Sequence, residues 1–101
     1  MNRPIFFTPE AGREVSDIEE NYRAIRPELG TKFSHALEQL LVLIREFPLM
    51  GAKIIKSSRR LKLLRFPYHV YYKPKRDRIV IWAVFHTHRD TDSLNKKELR
   101  A

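Results

Sequence analysis

The chain has 101 residues, the size of one compact domain with a single hydrophobic core. It contains no cysteine, which excludes a disulfide framework, thiolate metal sites and a Cys nucleophile. No apolar run approaches the ~18 residues of a membrane span, and the start of the sequence lacks the apolar segment of a signal peptide. We therefore expect one soluble, cytoplasmic domain over residues 1–101 that does not contact a membrane.

The positive charge is concentrated in the second half of the chain. Twenty Lys and Arg against twelve Asp and Glu give a net charge of +8. Residues 1–50 contain six basic and eight acidic side chains, whereas residues 51–101 contain fourteen and four. A surface of this sign attracts polyanions and acidic proteins. The charge therefore predicts such a partner without identifying it.

Two amphipathic helices are predicted in the first half, after a short run of large residues at 4–8. Thr8-Pro9 is a typical helix start, with a hydroxyl N-cap and proline at the first helical position. Apolar residues then recur every three or four positions over residues 9–25. Arg26-Pro27 interrupts this helix, and a second stripe runs from Leu29 to Phe47 and stops at Pro48. The two helices form an antiparallel hairpin that needs a sheet to cover its apolar stripes.

After Gly51 the apolar residues are spaced at about every second position, which is typical of strands. The predicted strands are 52–56, 60–66, 68–73 and 78–88. The last is apolar on both faces and belongs in the interior of a sheet. A short C-terminal helix is predicted at 92–100. The predicted fold class is therefore α+β, in the order β-αα-βββ(β), with the hairpin packed on a small, twisted, mostly antiparallel sheet.

Basic side chains dominate the segment from Lys53 to Arg78, which has ten of them and one acid, Asp77. Alternation along a strand places Arg60 and Lys62 on one face, which suits phosphate binding. The alternative is that these side chains are solvated and keep edge strands from pairing with other chains.

The histidines near the end of the predicted sheet are candidates for metal binding or proton transfer. His86 and His88 are two positions apart on one strand and therefore share a face. Because no third ligand is evident, we expect no metal, and we expect His86 to end its strand through hydrogen bonds to the backbone. Glycine-rich phosphate loops and hydrolase motifs are absent, so we expect no cofactor.

Seven short motifs follow one another along the chain. They are Ala11-x-x-Glu14-Val15-x-x-Ile18 with Tyr22; Pro27-Glu28-Leu29-Gly30-x-x-Phe33; Ile44-x-x-Phe47-Pro48-x-x-Gly51; Arg60; Arg65-Phe66-Pro67-Tyr68; Tyr72; and Ile81-x-Ala83-Val84-x-His86-x-x-Arg89-Asp90. From Phe7 to Asp90 the chain thus resembles the RelE/ParE toxins of bacterial type II toxin–antitoxin systems, and their ParE branch in particular.

The resemblance implies a growth-arresting toxin that an acidic, partly disordered antitoxin neutralises. The antitoxin would lay a helix along the hairpin groove and add a strand to the sheet. Operator DNA would be bound only indirectly, through the antitoxin. The expected antitoxin contacts are the stripe residues Val15, Ile18, Tyr22, Phe33, Leu37 and Leu40.

The resemblance leaves the molecular target open. ParE-like members inhibit DNA gyrase without catalysis, whereas RelE-like members are metal-independent nucleases that cut mRNA on the ribosome. His69 stands where the cleaving members usually have an arginine, and no tyrosine follows Arg89, so gyrase inhibition is favoured. A nucleic-acid-binding module without toxicity is a third hypothesis, based only on the net charge of +8 and the interleaved aromatic residues.

The candidate residues for target binding and for nuclease activity overlap. Binding of the target or of a polyanion would use Arg59, Arg60, Lys62, Arg65, His86 and Arg89. The nuclease alternative would use Arg60, Lys62, Arg65, His69, His88 and Arg89.

Overall fold

The computed structural model describes residues 3–88, and these form the predicted α+β fold. The elements, in chain order, are β1 (Ile5–Phe7), α1 (Pro9–Ile25), α2 (Pro27–Glu46), β2 (Ala52–Ile55), β3 (Ser58–Lys62), β4 (Tyr68–Pro74) and β5 (Ile79–His86). Arg89 and the predicted helix 92–100 lie outside the described residues. No helix between residues 3 and 88 has both the length and the hydropathy needed to cross a membrane.

Local chemistry sets both ends of α1. The Thr8 hydroxyl accepts a hydrogen bond from the Ala11 N–H at 3.2 Å, and proline follows at the first helical position, as predicted. At the other end Arg26 is extended, because Pro27 follows it. The Arg26 N–H still donates to the Tyr22 carbonyl at 3.0 Å. The helix therefore spans the residues that the apolar periodicity predicts.

The two helices are close where they leave the connection between them. A Cβ at Gly30 would lie 3.1 Å from the Cβ of Arg23, so a larger residue at position 30 would push α2 away from α1. Further along, the Ser34 hydroxyl donates to the Glu19 carboxylate. Glu19 also pairs with Arg23 at 3.2 Å, four residues along the same helix.

The described residues form a mixed five-stranded sheet in the order β1-β5-β4-β3-β2. β1 is parallel to β5, and the remaining neighbours are antiparallel. β5 therefore lies inside the sheet, as its two apolar faces predict. The expected strand 60–66 is wrong at its end, because β3 stops at Lys62. Beyond it Arg65 has a φ of 71°, which is incompatible with an extended strand.

A β-bulge at Trp82 divides β5 into two parts. Tyr71 pairs with Ala83 and Tyr72 with Ile81, so Trp82 is the additional residue. Before the bulge Ile79 and Ile81 face the helices, and after it Val84 does so. The bulge thus changes which residues face the helical core.

The sheet has a separate apolar cluster on each face. The helix-side core joins α1 and α2 to the sheet through Ala11, Ile18, Phe33, Leu37, Leu40, Ile44, Leu63, Phe66, Val70, Tyr72, Ile79, Ile81 and Val84. The other face, which we call the outer sheet face, buries Tyr71, Trp82, Ala83 and Phe85. There the Trp82 indole N–H donates to the buried Ser58 hydroxyl at 3.1 Å.

Candidate functional site

The outer sheet face carries the basic residues that the strand alternation predicts. Arg60 pairs with Tyr71, and Lys62 with His69, across β3 and β4. The four side chains are therefore neighbours on one face. Arg60 Nη1 lies 3.5 Å from the Tyr71 hydroxyl, at the limit of a hydrogen bond.

Lys62 is less available for binding an anion than its position on the outer sheet face suggests. Its ammonium donates to the Leu63 carbonyl at 2.9 Å and to the Phe66 carbonyl at 3.2 Å. An ammonium has three N–H groups, so one remains for a ligand. Lys62 therefore mainly holds the loop between β3 and β4 and only secondarily offers charge to an anion.

His69 is held as a neutral imidazole between these cations. Its Nδ1 is buried and has no hydrogen-bond partner. Burial lowers the pKa of His69 below its usual 6.5, and the positive charges of Arg60 and Lys62 lower this pKa further. At neutral pH the ring therefore offers an unprotonated nitrogen beside two positive side chains.

Arg59 does not belong to the outer-face set. It follows Ser58 and precedes Arg60, so its side chain points to the helix side of the sheet. There its Nη1 donates to the Leu49 carbonyl at 3.1 Å and to the Gly51 carbonyl at 2.9 Å. Arg59 and Arg60 therefore lie on opposite faces of the sheet, and a polyanion role for either of them stays a prediction.

Arg65 lies at the tip of the β3–β4 loop. It is exposed and adopts a left-handed backbone conformation, which costs a non-glycine residue free energy. Beside it Leu64 is 71% exposed. The loop and α2 border a groove lined by Leu29, Lys32, His35, Ala36, Gln39, Leu64, Arg65 and Phe66. Arg65 thus lies in the loop that follows β3, whereas Arg60 lies within β3.

The two C-terminal histidines lie together, on the helix side of the sheet. His86 pairs with Tyr68, whose ring packs on the helix-side core. His86 Nδ1 accepts a hydrogen bond from the His88 N–H at 3.2 Å, and the two rings stack at 5.3 Å. The predicted backbone hydrogen bond of His86 is therefore present. Residues 3–88 contain no group of three His, Asp or Glu side chains that could bind a metal ion.

Most of the expected antitoxin contacts are core residues. Ile18, Phe33, Leu37 and Leu40 are buried, because the same apolar stripe that marks a helix face also packs on the sheet. A partner bound to the folded chain would therefore contact neighbours of Ile18, Phe33 and Leu40, whereas Leu37 also lines a groove. Val15 and Tyr22 are half-buried.

A groove does lie between α1 and α2, but its lining differs from the expected set of contacts. Its residues are Phe7, Gly12, Val15, Glu19, Ser34, Leu37, Glu38 and Leu41. Val15 and Leu37 of the expected antitoxin contacts line this groove, and its other lining residues are not among those contacts. Of these, Leu41 belongs to the same apolar repeat as Leu37 and Leu40, so the repeat alone does not separate groove residues from core residues.

Another surface was missed altogether. The segment Phe47–Met50, which we call the apolar loop, joins α2 to β2 and exposes its large side chains. Phe47 was expected to close the apolar stripe of α2. It is exposed instead, because α2 ends at Glu46 and Phe47 leaves helical geometry before Pro48.

Two comparisons with known proteins agree with this architecture. The family model described as "ParE toxin of type II toxin-antitoxin system, parDE" matches residues 5–91. Among solved structures, the chain is similar to one titled "Chromosomal ParDE TA system from P. aeruginosa", with a TM-score of 0.71 and 19% identity over 83% of this chain and 95% of that chain. At this identity the structural similarity concerns the fold. No curated protein matches the chain.

Proposed function

Because the chain belongs to the ParE toxin family of type II toxin–antitoxin systems, we propose that it arrests growth by binding and inhibiting DNA gyrase. We further propose that a cognate acidic antitoxin neutralises it in the cytoplasm. The toxin acts by binding, and its free concentration is set by mass action with the antitoxin.

The separation of His88 from the other candidate catalytic side chains supports a binding mechanism, although Arg60, Lys62 and His69 share the outer sheet face. His69 faces the outer side of the sheet, whereas His86, on which His88 stacks, faces the helix side. The Lys62 ammonium donates two hydrogen bonds to its own loop. A phosphodiester placed against His69 would therefore not reach His88. Catalysis by such a set needs all groups near one phosphorus atom, so this arrangement favours a toxin without nuclease activity.

The charge distribution supports an acidic antitoxin. Residues 51–101 carry fourteen basic and four acidic side chains, and these residues include four of the five strands of the sheet. A positive surface accelerates encounter with a negative partner and discriminates against positive ones.

Gyrase inhibition is tested by a supercoiling assay with purified gyrase, ATP and relaxed plasmid. We expect supercoiling to decrease as the toxin is added and to recover when the acidic protein encoded beside the toxin is added in equal amount. The assay includes the toxin after heat denaturation as a control. Undiminished supercoiling without accumulation of cleaved DNA, at a large molar excess of toxin, would rule out gyrase as the target.

A ribosome-dependent nuclease is the second candidate, and the environment of His69 favours it. A neutral imidazole beside Arg60 has the protonation state of a general base that removes a proton from a ribose 2′-OH. The 2′-oxygen would attack the phosphorus to form a 2′,3′-cyclic phosphate as the bond to the 5′-oxygen breaks. The proton taken up by His69 would pass to the leaving 5′-oxygen, and Arg60 would stabilise the charge on the phosphate. Primer extension on translated messages after induction tests this candidate. New cleavage sites that disappear in His69→Ala would support it, and intact messages in growth-arrested cells would exclude it.

A further inference from the structure

The apolar loop shows large hydrophobic side chains to solvent at three of its four positions. Phe47 is 57% exposed, Leu49 68% and Met50 53%. Single exposed apolar residues are common on protein surfaces, but adjacent ones mark interaction sites more often. The three exposed side chains therefore mark the apolar loop as a candidate interaction site.

Hydrogen bonds hold the backbone of the loop in one conformation. The Met50 N–H donates to the Phe47 carbonyl at 3.0 Å, which closes a β-turn with Pro48 at its second position. The Tyr72 hydroxyl donates to the Pro48 carbonyl at 2.8 Å and accepts from the Gly51 N–H at 3.0 Å. The side chains of the loop are thus presented by a fixed backbone.

Arg59 adds to this anchoring from β3. Its Nη1 donates to the carbonyls of Leu49 and Gly51. The carbonyls of Phe47, Pro48 and Leu49, three successive loop positions, therefore all have partners within the chain. These bonds fix the backbone of the loop, while the side chains of Phe47, Leu49 and Met50 remain exposed. A preorganised surface of this kind loses little conformational entropy when a partner binds.

The surroundings of the apolar loop are mainly basic. Arg3 lines the same shallow depression as the loop residues, and its guanidinium is held by the Lys75 carbonyl. Arg45 precedes the loop on the last turn of α2, and Lys53 follows it on β2. The exposed carboxylate of Glu46 opposes them only in part. An apolar centre with a basic rim fits a segment that combines large apolar side chains with carboxylates.

We propose that the apolar loop is a docking surface for an acidic segment of the antitoxin, which places apolar side chains against Phe47, Leu49 and Met50 and its carboxylates against the basic rim. This inference rests on the proposed neutralisation by an antitoxin. The hairpin groove suits an acidic segment less well, because Glu19 and Glu38 line it. A second copy of the chain also fits poorly, because two chains of charge +8 repel each other.

The test measures the affinity of the toxin for the acidic protein encoded by the neighbouring reading frame. The variant is Leu49→Ser/Met50→Ser, which changes exposed side chains and leaves the anchored backbone carbonyls in place. The matched control is Leu64→Ser, an equally exposed leucine on a different loop. Thermal melting verifies that both variants fold. We expect at least a tenfold increase in Kd for the double variant and less than a twofold change for the control.

Gyrase inhibition by the same variants, without antitoxin, separates this inference from the proposed function. Weakened antitoxin binding with inhibition within twofold of the wild type supports the docking surface. If the wild type binds antitoxin and the double variant binds it with an unchanged Kd, the docking surface is overturned. Lost gyrase inhibition with an unchanged Kd also overturns it and assigns the apolar loop to the target. Absence of any binding by the wild type overturns both neutralisation and docking.

Discussion

The carboxylate of Glu14 on α1 accepts a hydrogen bond from the backbone N–H of Val84 on β5, at 3.0 Å and across 70 residues of sequence. Val84 lies two residues after Trp82, the bulged residue of β5. On the β1 side of β5 the ladder ends at the pair Phe7–Ile81, and beyond that pair the Glu14 side chain provides an acceptor for β5. This bond links the first helix to β5, close to the bulge at which β5 changes the side chains that it presents to the core.

Removal of the Glu14 carboxylate is therefore expected to destabilise the fold. We predict that Glu14→Ala lowers the free energy of unfolding by about 1.5–3 kcal/mol, the range for hydrogen bonds to charged groups. Glu14→Gln keeps an acceptor and should lose less than half as much. Urea unfolding measures both, with the exposed Glu20→Ala as control, expected within about 0.5 kcal/mol of the wild type. Equal losses in Glu14→Ala and Glu20→Ala would contradict the role assigned to this bond.

The Tyr72 hydroxyl is expected to stabilise the connection between α2 and β2. Burial raises the pKa of this phenol above its usual 10.0, although the Gly51 N–H and Arg59 oppose the shift, so the hydroxyl remains protonated and donates to Pro48. Tyr72→Phe leaves the buried Gly51 N–H and the Pro48 carbonyl without this partner, and we expect a loss of about 1–3 kcal/mol.

The matched control for this substitution is Tyr71→Phe on the outer sheet face. Its hydroxyl lies 3.5 Å from Arg60 Nη1, at the limit of a hydrogen bond. The substitution should therefore lower the free energy of unfolding by about 0.5 kcal/mol or less. Denaturant midpoints at constant slope give the comparison. A larger loss in Tyr71→Phe than in Tyr72→Phe would show that the hydroxyl of Tyr72 does not anchor the apolar loop.

Two glycines are expected to respond in opposite directions to substitution by alanine. At Gly51 a Cβ would lie 2.6 Å from the Tyr72 hydroxyl and 2.9 Å from the Arg60 carbonyl, so Gly51→Ala should destabilise the fold by about 1–3 kcal/mol. At Gly12, within α1, nothing lies within 4 Å of the added carbon. Gly12→Ala should therefore stabilise the fold by up to about 1 kcal/mol. Thermal unfolding distinguishes the two signs, and a stabilised Gly51→Ala would refute the close approach.

The stability of the protein should decrease as the pH falls through the titration of His69. Its pKa is below 6.5 in the folded state, so the unfolded chain binds a proton at a higher pH than the folded chain does. The contribution is fully present above pH 6.5 and is lost progressively as the pH falls toward the folded pKa. NMR titration of the ring should give a midpoint below 6.5 for His69.

His69→Gln should reduce this pH dependence relative to the wild type. Unfolding measured at several pH values provides the comparison. A titration midpoint of His69 above 6.5 would contradict the effect assigned to burial, Arg60 and Lys62.

The helices could be predicted closely because their boundaries depend on local chemistry. The Thr8 cap, the proline at position 9 and the Arg26-Pro27 step act within one or two turns, and the structure has α1 at Pro9–Ile25. The interior position of β5 was also predictable from its two apolar faces. The end of β3 was not, because the left-handed Arg65 and the Lys62 hydrogen bonds depend on how the loop folds back toward β4.

For the basic candidate residues, too, the sequence predicts one feature and the tertiary structure decides another. Alternation along a strand is a local rule, and it correctly placed Arg60 and Lys62 on one face. Which carbonyl or imidazole each side chain meets is decided by residues distant in sequence. Arg59 therefore anchors a loop ten residues earlier, and His69 loses solvent between two cations.

Local patterns alone thus specify the α+β class, the two helices, the strand-rich basic half and the motifs of the toxin family. They do not separate apolar residues that enter the core from those that remain at the surface. Ile18 and Phe33 are buried while Phe47 is exposed, although all three belong to apolar helical repeats. The reason is that burial depends on which element packs against each side chain. Here a sheet assembled from distant strands covers one part of the hairpin and leaves the apolar loop exposed.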